Sequence, residues 1–297
     1  MNNRKAQDKK HHQTATEHRL ISMPEIAKEY QYERLIRLIG PEQYQRLRRA
    51  HVLIMGTGGV GSWAAEALAR LDIGSFTLVD FDTVRPSNIN RQLIALPRHL
   101  GRLKCEVMRE RILEINPEAQ IRCLPLKYLP ERSEEVWNGQ YDAIVDAIDN
   151  ITAKCHLLNQ ARQRHIPIVT STGAAGRLDP SKVKIADLSH TKIDPVALQV
   201  RKKLRRDYYY PANKSFHIPA VYSEEIPRPP CSTEEQLAAV CENAELNKSQ
   251  SFVDSDPDED RPRRHAPPYG TSSFVVGTFG MFVAGKIAEL LLDDTSR

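Results

Sequence analysis

"HVLIMGTGGVGSW", residues 51–63, is the stretch of sequence that decides the fold. Five residues typical of a buried strand run directly into a glycine-rich turn, and a segment of helical period follows. Gly56, Gly58 and Gly61 fit the spacing G-x-G-x-x-G, and Gly59 lies between them. The first two glycines let the backbone turn tightly and approach a phosphate, and the third lets helix and strand pack closely. The stretch predicts a strand, turn and helix that bind a nucleotide.

The same alternation of short apolar runs and longer helical segments continues along the chain. Strands are predicted at 51–55, 76–80, 121–124, 143–148, 166–171 and 182–188, and helices begin near Ser62, Gly101, Ser133 and Ile151, with a basic helix from Asp194 to Arg206. This order predicts an α/β fold, a doubly wound, Rossmann-like, mostly parallel sheet with a C-terminal α/β extension.

The composition is that of a globular protein. The 297 residues are 40% hydrophobic and 27% charged, enough to bury one large α/β core or two small ones. The 42 basic and 38 acidic residues leave a net charge of +4, so no global field attracts nucleic acid, and we expect no DNA partner. The five cysteines lack the spacing of a zinc site or a disulfide framework, which favours a cytoplasmic location.

Composition divides the chain into four regions. Residues 1–20 are predicted to be a disordered basic arm, 21–230 the nucleotide-binding core, 231–268 a flexible insertion, and 269–297 a helix that packs on the core. The apolar run within this last region falls short of the roughly 20 residues that span a bilayer, so we expect no membrane partner.

A crowded polar loop, "DFDTVRPSNINRQ" (80–92), follows the second predicted strand. Asp80 stands about 20 residues after the glycine motif, where an acidic residue holds a ribose hydroxyl, and Asp82 is close behind. Four further side chains offer donors suited to phosphate oxygens: Asn88, Asn90, Arg91 and Gln92. Such a group suits a triphosphate whose charge must be neutralised when its α-phosphorus is attacked.

Two more residues support a triphosphate site. Lys104 lies in the first turn of a predicted helix, where the dipole disfavours a cation, so an anion outside the helix would explain it. Asp149 follows a buried strand, at an edge where a carboxylate can hold Mg²⁺ between phosphate oxygens. Asp146, inside the strand, is predicted to be a supporting residue without a catalytic role.

These motifs resemble, as a set, the nucleotide-binding core of the ubiquitin-activating-enzyme-like superfamily. The resemblance rests on the glycine stretch, "VDFDTVRPSNINRQ", "GRLKCEVMRERILEINP" and "DAIDN" in this order. It implies that Mg²⁺ and ATP adenylate a carboxylate with release of pyrophosphate. By resemblance, Asp80 holds the ribose, Asn88, Arg91 and Lys104 hold the phosphates, and Asp149 holds the metal. It also implies a homodimer in which an arginine reaches the neighbouring subunit's ATP, with Arg37 the best match and Arg34 the second.

The later part of the chain is similar to the tRNA threonylcarbamoyladenosine dehydratases. Residues 171–206, 221–227 and 269–280 carry this resemblance. It implies a tRNA substrate with threonylcarbamoyladenosine beside the anticodon, and ATP-dependent cyclisation of that group through an acyl-adenylate. His265 stands where bacterial dehydratases of this type often have a cysteine, so we name no catalytic cysteine. A sulfur-transfer or regulatory protein partner is left open.

A basic helix end offers a candidate tRNA contact. "RKKLRRDYYY" (201–210) combines five cations with three tyrosines, which suits phosphate contacts and base stacking. The five cations are Arg201, Lys202, Lys203, Arg205 and Arg206.

Two alternatives stay open beside the tRNA-modifying enzyme. The chain could adenylate the C-terminal carboxylate of a ubiquitin-like or sulfur-carrier protein, although it lacks the two C-x-x-C pairs that such enzymes usually carry for zinc. It could also be a non-catalytic scaffold that binds a nucleotide and RNA. Pyrophosphate exchange stimulated by a small carrier protein but not by tRNA would favour the first alternative, and turnover of ATP to AMP with modified tRNA would rule out the scaffold.

Overall fold

A single seven-stranded sheet organises the molecule. The computed structural model describes residues 30–231 and 269–293. The strands are β1 (His51–Met55), β2 (Ser75–Val79), β3 (Gln120–Leu124), β4 (Ala143–Asp146), β5 (Ile168–Ser171), β6 (Val183–Asp187) and β7 (Pro219–Ser223). Their order is β3-β2-β1-β4-β5-β7-β6, and β6 alone runs antiparallel to its neighbour. The predicted fold class, a doubly wound and mostly parallel sheet, is confirmed.

Helices cover both faces of this sheet. They are α1 (Glu33–Ile39), α2 (Pro41–Arg49), α3 (Gly59–Ala69), α4 (Lys104–Ile115), α5 (Glu134–Trp137), α6 (Ile151–Gln163), α7 (Pro195–Tyr208) and α8 (Ser273–Leu292). Because successive strand residues point to opposite faces, β1 contributes to two cores. Val52 and Ile54 pack with Phe279 of α8 in one core, and Leu53 and Met55 belong to the other core, which contains residues of α6 and α7.

Several sequence-based boundaries differ from the structure. β4 ends at Asp146, two residues before the predicted end, and the helix predicted near Ser133 has only four residues. Strand β7 was not predicted, because a five-residue segment that begins with proline has no strong strand pattern of its own. Its pairing with β6 and β5 makes it a strand.

The C-terminal helix α8 packs closely on α3. A Cβ atom at Gly280 would lie 2.5 Å from the Cβ of Trp63 and 2.8 Å from the carbonyl oxygen of Val60, so glycine allows the two backbones to approach. Among the described residues, α8 is the one helix long and apolar enough to cross a membrane by length and composition, and 39% of its most apolar window is buried in the protein. The expectation that this segment is too short is wrong, because the helix continues to Leu292.

Three sequence-based expectations fall on residues outside the described part of the chain. These are the basic arm (1–20), most of the insertion (231–268) and the replacement of cysteine by His265. Four cysteines within the described ranges are free thiols, namely Cys105, Cys123, Cys155 and Cys231.

The contact between α3 and α8 predicts a difference between two glycines of α8. We expect Gly280→Ala to lower the free energy of unfolding by about 1–3 kcal/mol, because the new methyl group overpacks a closed interface. Gly285→Ala is the matched control, since a Cβ there meets nothing within 4 Å. It should be neutral or stabilise by up to about 1 kcal/mol, as alanine does in an open helix position. Urea unfolding of both variants measures this; equal effects would contradict the packing described.

Candidate adenylation site

The glycine turn lies where the strand order reverses. β1 is flanked by β2 on one side and β4 on the other, and ligands of such sheets bind at the carboxyl ends of the strands near this point. Gly56 has a φ of +90°, and a Cβ there would lie 2.9 Å from the carbonyl oxygen of Ala147. A Cβ at Gly61 would collide with the carbonyl oxygen of Gly56. The turn therefore packs directly against the loop that follows β4.

Asp80 braces this turn from the end of β2. Its Oδ2 accepts hydrogen bonds from the backbone N–H of Thr57 at 2.7 Å and from the Thr57 hydroxyl at 3.0 Å. Its Oδ1 accepts from the N–H of Asp82 at 2.9 Å. Burial raises the pKa of Asp80, although Lys104 acts in the opposite direction. The carboxylate thus fixes the shape of the nucleotide turn, and its predicted contact with a ribose stays a prediction.

Lys104 is buried and ion-paired. Its Nζ lies 2.8 Å from Oδ2 of Asp82, and its backbone N–H donates to the Asp82 carbonyl. The sequence predicted an anion near Lys104, because a cation is unfavourable in the first turn of a helix. The Asp82 carboxylate of the same chain is that anion. Asp82 is one-third exposed, so the pair lies at the surface of the site, where a phosphate could compete for the ammonium. Lys104 is thus held beside the loop that carries Arg91.

The polar loop places Arg91 and Asn88 in different environments. Asn88 is buried, and its Oδ1 accepts from the backbone N–H of Arg85, so its amide closes the turn. The Arg91 guanidinium donates from Nη1 to the carbonyl oxygen of Ser87 and to Oδ1 of Asn90. Partial burial lowers the pKa of Arg91. No described residue accepts from its Nε or Nη2, which leaves these two groups for a ligand.

Gln92 is a residue of the site that the sequence pattern alone did not single out. Its side chain is only 7% exposed, and its Oε1 is buried without a hydrogen-bond partner among the described residues. Its Nε2 lies 3.6 Å from the position that a Cβ on Gly58 would occupy, so the amide touches the glycine turn. A buried polar atom without a partner is costly. Its place in the polar loop was visible in the sequence, but its burial was not.

A buried ion pair fixes the loop after β4. Lys154 of α6 lies 2.8 Å from Oδ2 of Asp146 and also donates to the carbonyl oxygen of Ser171. The Thr170 hydroxyl donates to the same carboxylate oxygen at 2.6 Å. Asp146 is therefore a fully buried supporting residue, as predicted. Three residues on, Asp149 is exposed at the carboxyl edge of the sheet.

The described residues hold no group of three or more His, Cys, Asp or Glu side chains that could bind a metal alone. Mg²⁺ commonly uses one or two carboxylates together with substrate phosphates and water. The exposed Asp149 carboxylate, on the loop that packs against the glycine turn, fits that arrangement. The donor set therefore suits a magnesium ion that arrives with a nucleotide.

The trans arginine predicted from the resemblance lies on α1. Arg37 is exposed and pairs with Glu33 on the same helix, with Nη2 to Oε1 at 2.5 Å. This local pair does not bring Arg37 to the glycine turn of its own chain. Arg34 is also exposed. A contact of either arginine with a neighbouring subunit stays a prediction.

The five cations of the basic helix α7 differ in availability. Lys203 and Arg206 both pair with Asp207, at 2.9 Å and 2.5 Å. The hydrogen bond from Arg206, followed by the one from Lys203, holds the pKa of Asp207 below its usual range. Arg201 donates to the Thr191 hydroxyl, and Arg205 donates to the carbonyl oxygen of Ala212. The remaining cation, Lys202, is exposed.

The prediction that all three tyrosines of residues 208–210 could stack on bases is wrong for Tyr210. That ring is buried against Phe216 and under the guanidinium of Arg162, whereas Tyr209 is 89% exposed. The helix α7 starts at the carboxyl edge, where Asp194 accepts from the Thr172 hydroxyl, and its 14 residues reach to the amino edge. Its basic end therefore lies at the edge opposite the glycine turn. A cavity of about 760 Å³ opens there between α6 and β7.

The comparisons with known proteins agree with this geometry. The family model described as "ThiF family" matches residues 30–295. The chain belongs to the ThiF family. Within this family, a Haemophilus influenzae protein named tRNA threonylcarbamoyladenosine dehydratase is 37% identical over 262 residues, which are 88% of this chain and 92% of that protein.

Solved structures of ThiF-type relatives extend the likeness. The Escherichia coli tRNA N6-threonylcarbamoyladenosine dehydratase in complex with ATP has a TM-score of 0.74 and 31% identity, with 89% of this chain and 95% of that chain covered. In contrast, a Thermus thermophilus sulfur carrier protein adenylyltransferase is 31% identical over only 44% of this chain and 48% of its own length. The similarity to this sulfur-carrier adenylyltransferase thus covers less than half of the present chain.

The buried ion pair predicts a large effect of one substitution. We expect Lys154→Met to lower the free energy of unfolding by about 3–5 kcal/mol, because it leaves the Asp146 carboxylate buried and without a counter-charge. Lys202→Met, on the exposed face of α7, is the control and should change it by less than about 0.5 kcal/mol. Urea unfolding followed by circular dichroism measures both. A small effect at Lys154 would show that the pair does not hold the loop.

Proposed function

We propose that this protein is an ATP-dependent tRNA threonylcarbamoyladenosine dehydratase. The observation that carries the proposal is the extent of the similarity: it covers 88% of the chain, including the segments beyond the nucleotide core, at 37% identity to a protein of that name. The geometry supports it, because the loop after β4 packs against the glycine turn, and the polar loop after β2 contacts the same turn through Asp80 and Gln92. Solved structures of the E. coli tRNA N6-threonylcarbamoyladenosine dehydratase, which has the same fold, are complexes with ATP and with AMP.

The proposed reaction has two steps. An oxygen of the threonylcarbamoyl carboxylate attacks the α-phosphorus of ATP, and pyrophosphate leaves. A group of the same modified nucleoside then attacks the acyl carbon and gives up its proton to solvent, the C–O bond to the phosphate breaks, and AMP leaves with that oxygen. Relative to the free acid, the nucleoside has lost the elements of one water. Joining two groups of one substrate gives a high effective concentration and needs no nucleophilic side chain.

The residues of the site have distinct proposed roles. Arg91 offers Nε and Nη2 to phosphate oxygens, and Lys104 offers its ammonium when a phosphate displaces the Asp82 carboxylate. Such donors accelerate the reaction because they stabilise charge that develops on the phosphates. Asp149 would hold Mg²⁺, which neutralises triphosphate charge when it is bound. Gln92 adds a buried amide at the glycine turn.

We further propose a cytoplasmic homodimer in which Arg37 of one subunit approaches the ATP of the other. The exposure of Arg37, which pairs with Glu33 on its own helix, supports the role proposed for this arginine. The second candidate function is that of a sulfur-carrier adenylyltransferase. The similarity to such an enzyme over 44% of the chain favours it.

The function is tested by mass spectrometry of nucleosides from threonylcarbamoyladenosine-containing tRNA after incubation with the protein and Mg-ATP. We expect the loss of one water from the modified nucleoside and equal release of AMP. Arg91→Ala and Asp149→Ala should each lower the rate by roughly 100-fold to 1,000-fold, as the loss of one contact to developing charge does. Lys286→Ala, on the far part of α8, is the control.

Two results would reject this function. ATP–pyrophosphate exchange stimulated by a small carrier protein and not by tRNA would identify the carrier-activating alternative. ATP binding without turnover, and without any effect of Arg91→Ala or Asp149→Ala on a product, would identify a binding scaffold.

The availability of Lys202 makes a prediction for tRNA binding. Lys202→Gln should weaken tRNA binding and reduce the slope of log K against log salt by about one, because one phosphate contact and its released counterion are lost. ATP affinity should stay unchanged, since this end of α7 lies at the amino edge of the sheet. Filter binding over a salt series measures the slope. An unchanged slope would exclude Lys202 from the tRNA contact.

A further inference from the structure

The side chain of Asn90 bridges Arg91 and the start of helix α8. Its Nδ2 donates to the carbonyl oxygen of Thr271 at 3.2 Å and to the Thr271 hydroxyl at 3.3 Å. Its Oδ1 accepts from Nη1 of Arg91 at 3.0 Å. An amide presents its donor and its acceptor in different directions, so a single side chain can link two partners in this way.

The backbone of Arg91 is held against the same helix. The indole Nε1 of Trp63 donates to the carbonyl oxygen of Arg91 at 3.2 Å. The Trp63 side chain in turn packs against Gly277 and Gly280 of α8, where added Cβ atoms would lie 3.6 Å and 2.5 Å from it. Both the main chain and the guanidinium of Arg91 are thus tied to α8 through one intermediate residue each.

The start of α8 is itself anchored. The Ser272 hydroxyl donates to the carbonyl oxygen of Arg177 at 3.1 Å, and the N–H of Gly176 donates to the carbonyl oxygen of Gly270 at 2.7 Å. Arg177 is buried and lies 3.0 Å from Oδ2 of Asp194. The residue that Asn90 contacts therefore belongs to a fixed segment, linked to the loop after β5.

We infer that Asn90 is a positioning residue that orients the Arg91 guanidinium toward the triphosphate from the anchored start of α8. The inference rests on the proposed ATP-dependent adenylation. A free arginine side chain loses rotamer freedom when it binds a phosphate, and this cost opposes binding. The hydrogen bond from Nη1 to Asn90 restricts the Arg91 side chain before ATP binds, so less rotamer freedom is lost on binding. It leaves Nε and Nη2 for phosphate oxygens.

A double-mutant cycle tests this role. Asn90→Ala should lower ATP affinity and the rate of AMP formation by about tenfold each, as expected for loss of a hydrogen bond to a charged group. In the Arg91→Ala background the same substitution should change neither quantity by more than about twofold, because Asn90 acts through Arg91. Isothermal titration calorimetry gives the affinity, and single-turnover assays with modified tRNA give the rate. Asn159→Ala on α6 is the matched control in both backgrounds.

The outcomes separate this inference from the proposed function. Equal effects of Asn90→Ala in both backgrounds, or no effect in either, would overturn the positioning role, whereas loss of the effect only in the Arg91→Ala background supports it. Because Asn90 is exposed, the variant should unfold at the wild-type temperature, and a lowered temperature would point to a structural role instead. The ATP-affinity cycle decides the role of Asn90 even if the wild-type protein releases no AMP, a result that would contradict the proposed function alone.

Discussion

The close approach of backbone to backbone at the glycine turn is the constraint on which the site depends. Gly61 has no room for a Cβ beside the Gly56 carbonyl, and Gly56 has none beside Ala147. The turn can therefore touch both the loop after β4 and the N-terminus of α3, and the loops after β1, β2 and β4 come together at one edge of the sheet. A side chain at either glycine would push these loops apart before any ligand arrived.

Three ion pairs lie near this edge, and each pair fixes a segment of backbone. Lys104 with Asp82 joins the start of α4 to the polar loop, Lys154 with Asp146 fixes the loop that carries Asp149, and Arg177 with Asp194 ties the loop after β5 to α7. Pairs of this kind contribute little net stability against an apolar alternative, but loss of one partner is costly. They hold the loops in one arrangement, which is what a site for charged phosphates requires.

Local signals predicted the parts of this structure that depend on local chemistry. The strand, turn and helix around Gly56 and the buried supporting role of Asp146 follow from apolar runs and glycine spacing. The rest depends on contacts between distant segments. Thr271 is 181 residues from Asn90, so no sequence pattern shows that the Asn90 amide is already used. The sequence does not show the partner of Lys104 either, because Asp82 lies beside Lys104 through the antiparallel bridge between Thr83 and Leu103.

The most direct test of the account is a crystal structure of the protein with Mg²⁺ and ATP. We expect the triphosphate to lie at the carboxyl edge of the sheet, with its oxygens within hydrogen-bond distance of Arg91 and Lys104 and with the metal on Asp149. A nucleotide bound instead in the cavity of about 760 Å³ at the amino edge, with the three loops unoccupied, would contradict it.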